Sequence, residues 1–217
     1  MSEEEKSPRS IVSMLSNDFV LGILIVLLAI GTATASYLSS MSDSDQTKYN
    51  VLGMTTLTNA NANYLTANQE IGQDYGYYDS FYLNQDKPDV ADYYRYNFSD
   101  ELEAGITRSN ADTNADADPF DEQYYTDKYD GPNNEFALAK KSLTLAEDFN
   151  TRGDSFQLVV LIGSIGLAFG AFAAILPDGR KLRLVFTILS VIICLYGAFV
   201  WLGIPAAPIV PAELLAP

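Results

Sequence analysis

The side chains best suited to hold a ligand in this sequence are oxygen-bearing groups clustered between residues 112 and 122. Carboxylate and amide oxygens are the ligands that hard cations such as Ca²⁺ prefer. An EF-hand loop also requires Gly at its sixth position and Glu at its twelfth, but Ala117 and Gln123 stand there when the count starts at Asp112. A solvated acidic loop is therefore the alternative to a weak candidate Ca²⁺ site. The candidate ligands are Asp112, Asp116, Asp118, Asp121 and Glu122.

Groups for enzymatic chemistry are scarce. The chain has no His, and its single cysteine, Cys194, lies inside an apolar run where a thiol stays protonated and inert. The sequence contains no nucleophile elbow, glycine-rich phosphate loop or zinc-protease motif. We therefore expect no enzymatic activity, no catalytic residue and no cofactor apart from the Ca²⁺ considered above.

The charge of the chain is strongly acidic and unevenly distributed. Of 217 residues, 28 are Asp or Glu and 13 are Lys or Arg, a net charge of −15. Residues 38–155 hold 22 of the acids and 8 of the basic residues, together with 12 of the 14 tyrosines. A nucleic-acid-binding protein needs a basic surface, so this composition argues against that class.

Three long apolar runs predict an all-α integral membrane protein with three transmembrane helices. They cover residues 19–37, 156–176 and 182–204. A helix needs about 20 apolar residues to cross the hydrocarbon core of a bilayer. The first run contains an Ala33-Thr34-Ala35 sequence typical of signal-peptide cleavage, but the acidic start Ser2-Glu3-Glu4-Glu5 is a poor signal, so an uncleaved anchor is favoured.

The basic residues near the ends of these runs predict the topology. The turn at 177–181 and the first residues of the third run contain Arg180, Lys181 and Arg183, and such turns remain cytoplasmic. The tail at 1–18 is then cytoplasmic as well. Residues 38–155 and the tail at 205–217 are extracytoplasmic. We expect a multi-pass protein of the cell (inner or plasma) membrane.

The acidic segment carries a helical pattern after the first span. Larger side chains and two asparagines recur at spacings of three and four: Met54, Leu57, Asn61, Tyr64, Asn68, Ile71, Tyr75, Tyr78 and Tyr82. This period predicts a helix packed in coiled-coil fashion, continuous with the first span because no Pro lies between that span and Pro88.

Beyond Pro88, one or two short helices are expected between residues 89 and 108, with a start at Ser99. A loop is expected at 110–134, including a turn at 127–131, and then a helix at 135–150 capped by Asn134. Together these elements form an extracytoplasmic helical hairpin between the first two spans.

Several residues are candidates for contact with a partner. Asn61 and Asn68 either fix the register of a packed helix or simply face water. Tyr75, Tyr78 and Tyr82 either form a protein interface or fill the core of a small helical unit, and the interface reading is favoured. Gly166, Gly170 and Ala174 lie on one face of the second span, where small residues allow a close helix contact in the same chain or with another subunit.

In its layout the chain resembles a family of small three-span prokaryotic membrane proteins that is catalogued only as a domain of unknown function. The resemblance lies in a first span leading into a polar helical segment that begins Asp45-Gln46-Thr47-Lys48-Tyr49-Asn50, and in a pair of spans joined by Asp178-Gly179-Arg180-Lys181. The acidic, Tyr-rich stretch at 88–134 departs from that pattern. The resemblance implies a fold and no activity.

The expected function is that of a non-catalytic accessory or scaffold subunit of a membrane protein assembly. Its partners would be the lipid bilayer and other membrane subunits or further copies of itself. Two alternatives remain open: an extracytoplasmic sensor or binding module for a cation or small ligand, and a self-assembling homo-oligomer.

Overall fold

The computed structural model describes residues 17–112, 117–178 and 180–215. These residues form helices and connecting turns, and no strand occurs among them. The elements in chain order are α1 (Asp18–Leu83), α2 (Pro88–Arg95), α3 (Asp100–Ala111), α4 (Glu122–Ile175), α5 (Lys181–Leu202) and a short 3₁₀ helix (Ala212–Leu214). The all-α prediction is confirmed.

Three of these helices, α1, α4 and α5, are long and apolar enough to cross a membrane. Each contains one of the three apolar runs. α1 has 66 residues and continues without a break past the first run, as the absence of Pro between that run and Pro88 predicts. Large apolar side chains such as Phe19, Ile30 and Phe199 are exposed along these helices, which is compatible with contact to a lipid bilayer.

The chain divides into two compact units. Of the described residues, 17–48, 145–178 and 180–210 form the span unit, and 49–112, 117–144 and 211–215 form the polar unit. Both α1 and α4 contribute a segment to each unit.

In each unit a set of buried α1 residues recurs every seven positions. These residues are Leu21, Leu28, Ala35 and Ser42 in the span unit, and Gly53, Ala60, Ala67 and Asp74 in the polar unit; Ser39 and Tyr49 are buried as well, outside these two sets. A seven-residue period is typical of coiled-coil packing. The predicted period is therefore confirmed. The buried residues, however, lie one position before four of the residues predicted to face the neighbouring helix: Met54, Asn61, Asn68 and Tyr75 are exposed.

Three of the buried α1 positions in the polar unit carry the small residues Gly53, Ala60 and Ala67, and at Gly53 the facing helix lies very close. A Cβ atom added at Gly53 would lie only 2.7 Å from Cγ of Leu143 on α4. The larger side chains that define the stripe in the sequence must therefore lie beside this contact, and Leu57 and Ile71 are half-buried there.

The prediction of a loop up to residue 134 is wrong, because α4 begins at Glu122. The side chain of Asp121 caps the helix by accepting a hydrogen bond from the backbone N–H of Tyr124 at 2.7 Å. The expected turn at 127–131 and the expected cap at Asn134 both lie inside α4. Pro132 is a buried residue within the helix, so tertiary packing overrides the local turn signals.

The two short helices agree with the sequence. Pro88 occupies the first turn of α2, where its missing N–H is tolerated. Ser99 caps α3 by accepting a hydrogen bond from the N–H of Leu102 at 3.2 Å. Arg95 and Glu103 form a two-point ion pair between the helices, with its shorter N–O distance 3.0 Å.

The contact between α3 and the residues before α4 can be tested with one methyl group. A Cβ atom added at Gly105 would lie 2.1 Å from the carbonyl oxygen of Pro119, a backbone atom that a rotamer change cannot move. We expect Gly105→Ala to lower the free energy of unfolding by about 1–3 kcal/mol or more, since that range is the usual cost of overpacking. Thermal or denaturant unfolding followed by circular dichroism in detergent would measure it.

Gly72→Ala is the matched control, since no atom lies within 4 Å of an added Cβ there. This variant should gain about 0.5–1 kcal/mol from its better helix propensity. Equal effects of the two substitutions would contradict the close contact at Gly105.

Candidate functional site

The polar unit contains a lysine enclosed by acids. Lys128 on α4 is only 7% exposed. Its Nζ lies 2.8 Å from Oε2 of Glu101 and 3.2 Å from Oε2 of Glu70. The third carboxylate, that of Asp74, lies 3.6 Å away and is itself 2% exposed. One cation thus faces three acids on α1 and α3.

Asp74 is held by further donors. The Ser99 hydroxyl donates to Oδ2 at 2.5 Å, and the Ser99 backbone N–H donates to Oδ1 at 3.0 Å. The hydroxyl of Tyr124 donates to Oδ2 at 2.8 Å, and Tyr124 is fully buried. Buried carboxylates require such partners. We name these six residues, Glu70, Asp74, Ser99, Glu101, Tyr124 and Lys128, the Lys128 cluster.

The electrostatics of the Lys128 cluster favour its charged forms. Burial by itself lowers the pKa of Lys128, but hydrogen bonds to Glu101 and Glu70 outweigh it and the pKa lies above the ordinary value. Burial likewise raises the pKa of Glu101, yet its hydrogen bond with Lys128 brings the net pKa below the usual range. For Tyr124, burial and the hydrogen bond to Asp74 both raise the pKa, so the phenol stays protonated.

Aromatic rings pack beside this cluster. Leu102, Phe120 and Tyr124 form a buried core. The ring of Tyr75 stacks on Phe120 with centroids 3.9 Å apart, and Tyr78 meets Phe120 edge-on at 5.5 Å. Tyr75 and Tyr125 share a hydrogen bond between their hydroxyls at 2.6 Å, which raises the pKa of Tyr75 to about 12. Tyr75 and Tyr78 therefore make contacts within the chain.

Other apolar side chains of the polar unit are open to solvent. Tyr82, Tyr93 and Tyr96 are 66%, 65% and 90% exposed, and Leu83 and Val90 beside them are exposed as well. We name Tyr82, Leu83, Val90, Tyr93 and Tyr96 the exposed aromatic segment. Of the three tyrosines predicted as an interface, only Tyr82 belongs to it.

The predicted cation site is only partly described. Asp116 lies outside the described residues. Asp121 makes a two-point ion pair with Arg108, both N–O distances being 2.7 Å, and Asp118 accepts the backbone N–H of Phe120 at 3.0 Å. Asp112 and Glu122 are exposed. Within the described ranges no group of three or more His, Cys, Asp or Glu side chains is placed to hold a metal ion, and Ca²⁺ binding stays a prediction.

The two asparagines of the stripe are exposed and make short-range contacts. Their amides donate to carbonyls of their own helix, Asn61 to Leu57 and Asn68 to Tyr64, each at 2.9 Å. Asn68 also accepts a hydrogen bond from the hydroxyl of Tyr129 on α4 at 2.7 Å. Asn68 thus helps to align α1 with α4 inside one chain, and a role in oligomerisation stays a prediction.

The small-residue face of the second span packs against the other spans. A Cβ atom added at Gly166 would lie 3.1 Å from side-chain carbons of Leu28 and Ile193, and one added at Gly170 would lie 3.0 Å from Ile25. The buried Ser190 hydroxyl on α5 donates to the Gly166 carbonyl at 2.9 Å. Ala174, by contrast, is exposed. A contact of these residues with another subunit stays a prediction.

Two arginines join segments of all three spans. Arg183 at the start of α5 is 3% exposed, forms ion pairs with Asp18 and Asp178, and donates to the carbonyl of Leu176 at 3.0 Å. Arg152 on α4 donates to Ser42 at 3.0 Å and to the Pro205 carbonyl at 3.4 Å, and its guanidinium lies 5.0 Å from the ring centroid of Phe156.

None of the six residues of the Lys128 cluster is among the site residues that the sequence predicts. Two signals were available: Asp74 continues the small-residue positions Gly53, Ala60 and Ala67 at a seven-residue spacing, and Lys128 is one of few cations in a strongly acidic segment. Neither signal identifies the groups that contact Asp74 and Lys128, because Glu101 and Ser99 belong to a different helix.

Comparison of the chain with protein-family models, with curated proteins and with solved structures found no match. The resemblance to a three-span family accordingly stays a prediction. Function must be inferred from the geometry above.

The energetic role of Lys128 can be tested by removing its charge. We expect Lys128→Met to lower the free energy of unfolding of the polar unit by about 3–5 kcal/mol, because it leaves the buried carboxylate of Asp74 without a cation. Denaturant unfolding would measure the loss. Lys140→Met, which removes an exposed cation from the same helix, should stay within about 0.5 kcal/mol of the parent. A loss as small as that of Lys140→Met would refute the role of Lys128.

The Arg108–Asp121 pair predicts a dependence on pH. The hydrogen bonds from Arg108 lower the pKa of Asp121 from 3.8 to about 2. A carboxyl with a lowered pKa in the folded state stabilises that state above its unfolded pKa, and the contribution is lost as pH falls from about 4 to about 2. Asp121→Asn keeps the helix cap and removes the titration. The variant should lose less unfolding free energy than the parent over that pH range.

The exposed carboxyl of Asp130 gives the control, so Asp130→Asn should follow the parent across the same titration. If Asp121→Asn also followed the parent, the ion pair would carry no pH-dependent stability.

Proposed function

We propose that this protein is a non-catalytic accessory or scaffold subunit of a membrane protein assembly. The observation that supports the proposal is the exposed aromatic segment of the polar unit. Aromatic side chains are enriched at protein interfaces because they bury a large area with little loss of conformational freedom. Three tyrosines between residues 82 and 96 are each at least 65% exposed, which is the composition expected of such an interface.

The Lys128 cluster supports the same function by holding that surface in place. It joins α1, α3 and α4, and the Arg95–Glu103 ion pair joins α2 to α3. The segment that carries Tyr93 and Tyr96 is thus attached to a helix whose start is anchored at Asp74. A pre-positioned interface binds more tightly because less freedom is lost on association.

The proposed topology places the polar unit outside the cell. Arg180 before α5 and Lys181 at its first position are exposed, and basic residues between two spans favour a cytoplasmic location by the positive-inside rule. Arg183 contributes less to that bias because Asp18 and Asp178 neutralise it. The N-terminus would then be cytoplasmic, and both residues 38–155 and the C-terminal tail extracytoplasmic, in the cell (inner or plasma) membrane.

The proposal is tested by isolating the chain with its partners. We expect a different polypeptide to co-purify in fixed stoichiometry after gentle detergent extraction from native membranes, as measured by mass spectrometry of the complex. The double substitution Tyr93→Ser/Tyr96→Ser should reduce recovery of that polypeptide by about tenfold or more, since central aromatic residues often contribute more than 1.4 kcal/mol.

Val51→Ser is the control, because it removes an exposed apolar side chain elsewhere in the polar unit. It should leave recovery unchanged. A homo-oligomer would favour self-assembly instead, and a monomer without any partner would refute the scaffold proposal.

A further inference from the structure

A polar groove runs between α1 and α4 in the span unit. Its volume is about 500 Å³, within the range of ligand-binding clefts. α1 contributes Ser36, Ser40 and Asp43, and α4 contributes Gln157, Leu161 and Ser164. Exposed polar side chains on membrane helices usually face a protein or a polar ligand rather than hydrocarbon, so this lining requires an explanation.

Four of the lining side chains have no partner in the described part of the chain. The hydroxyls of Ser36 and Ser40, the amide of Gln157 and the carboxylate of Asp43 make no hydrogen bond or ion pair there. In contrast, the neighbouring Ser39 hydroxyl donates to the Gly153 carbonyl, and Ser164 donates to its own helix. The groove therefore presents free donors and one free negative charge.

The lining follows a polarity gradient along the helices. Asp43 lies six residues beyond Tyr37, the end of the first apolar run, which is about 9 Å along a helix. Side chains on a helix point toward its N-terminus, which for α1 is the membrane side. The carboxylate therefore lies closer to the bilayer than the backbone does and reaches the outer part of the headgroup layer, which adds about 5–8 Å to each side of the hydrocarbon. Gln157 lies at the start of the second apolar run, and Leu161 lies one turn deeper.

We propose that this groove binds a phospholipid with a primary ammonium headgroup, that is, a phosphatidylethanolamine. The ammonium donates to Asp43, the phosphate accepts from Gln157 and Ser40, and an acyl chain lies along Leu161. The order of these contacts from outside to inside matches the order of ammonium, phosphate and chain in the lipid. The inference rests on the placement of α1 and α4 in a bilayer and needs no protein partner.

A second copy of the chain fits the groove less well than the lipid. A two-fold contact at this surface would bring Asp43 close to Asp43 of the other copy, and like charges at an interface are unfavourable. An anionic headgroup is disfavoured for the same reason. A choline headgroup carries the positive charge but has no N–H to donate to the carboxylate.

The test is native mass spectrometry of the full-length chain in mild detergent with added phosphatidylethanolamine, phosphatidylcholine or phosphatidylglycerol of identical acyl chains. We expect the ethanolamine lipid to be retained about tenfold more tightly than the choline lipid, which corresponds to about 1.4 kcal/mol. Asp43→Asn should bring that ratio close to one. Asp154→Asn, which removes an exposed acid from α4 outside the groove, should preserve it.

Gln157→Leu provides a second variant. It should weaken retention of the ethanolamine and choline lipids by the same factor, because the phosphate is common to both. Far-UV circular dichroism of each variant would establish that the helices remain folded.

The proposal is overturned if the parent chain retains the ethanolamine and choline lipids equally, or if Asp43→Asn and Asp154→Asn change the ratio alike. It is also overturned if Gln157→Leu leaves retention of both lipids unchanged, or if a co-purifying polypeptide is lost on Asp43→Asn, since the groove would then hold a protein. Lipid selectivity is measured on the isolated chain. The lipid proposal can therefore fail while the scaffold proposal holds, and the scaffold proposal can fail while the lipid proposal holds.

Discussion

A cation removed from water loses several kcal/mol of solvation, and it stays buried only where anions or carbonyls replace the lost water. Lys128 in the polar unit and Arg183 in the span unit both meet this constraint by drawing groups from separate segments of the chain. Lys128 contacts acids of α1 and α3, and Arg183 contacts Asp18, Asp178 and the Leu176 carbonyl. In both cases the cation specifies which helix segments meet.

These charges add to helix contacts that are made in part by small residues. α1 faces its neighbours with Leu21, Leu28, Ala35 and Ser42 in the span unit and with Gly53, Ala60 and Ala67 in the polar unit. Small residues allow close backbone approach, but each removes less surface from water than Leu or Ile would. Ordered polar contacts, including Ser190 to Gly166 and Asn68 to Tyr129, therefore supply much of the alignment between helices.

The structure divides the tyrosines of the polar unit between two roles that their sequence does not distinguish. Tyr124 is fully buried with its hydroxyl on Asp74, and Tyr75 stacks on Phe120, whereas Tyr93 and Tyr96 are exposed. The core reading of the tyrosine-rich segment thus holds for the buried residues, and the interface reading stays a prediction for the exposed ones. The exposed rings support an interaction surface, and the buried ones make the unit that carries it.

The sequence by itself determined the helical class, the three apolar helices, the unbroken course of α1, the start of α2 near Pro88 and the cap of α3 at Ser99. These follow from local chemistry: run length, the position of Pro88 and the hydroxyl of Ser99 before its helix. It did not determine the phase of the α1 contact or the start of α4.

Only the tertiary structure decided those features and the Lys128 cluster. The phase depends on how closely α4 approaches Gly53, and α4 continues through Gly131 and Pro132 where local turn signals alone predict a loop. The cluster joins Asp74, Ser99 and Lys128, whose spacing along the chain has no period. Their proximity arises from packing between helices, which a pattern within one helix does not encode.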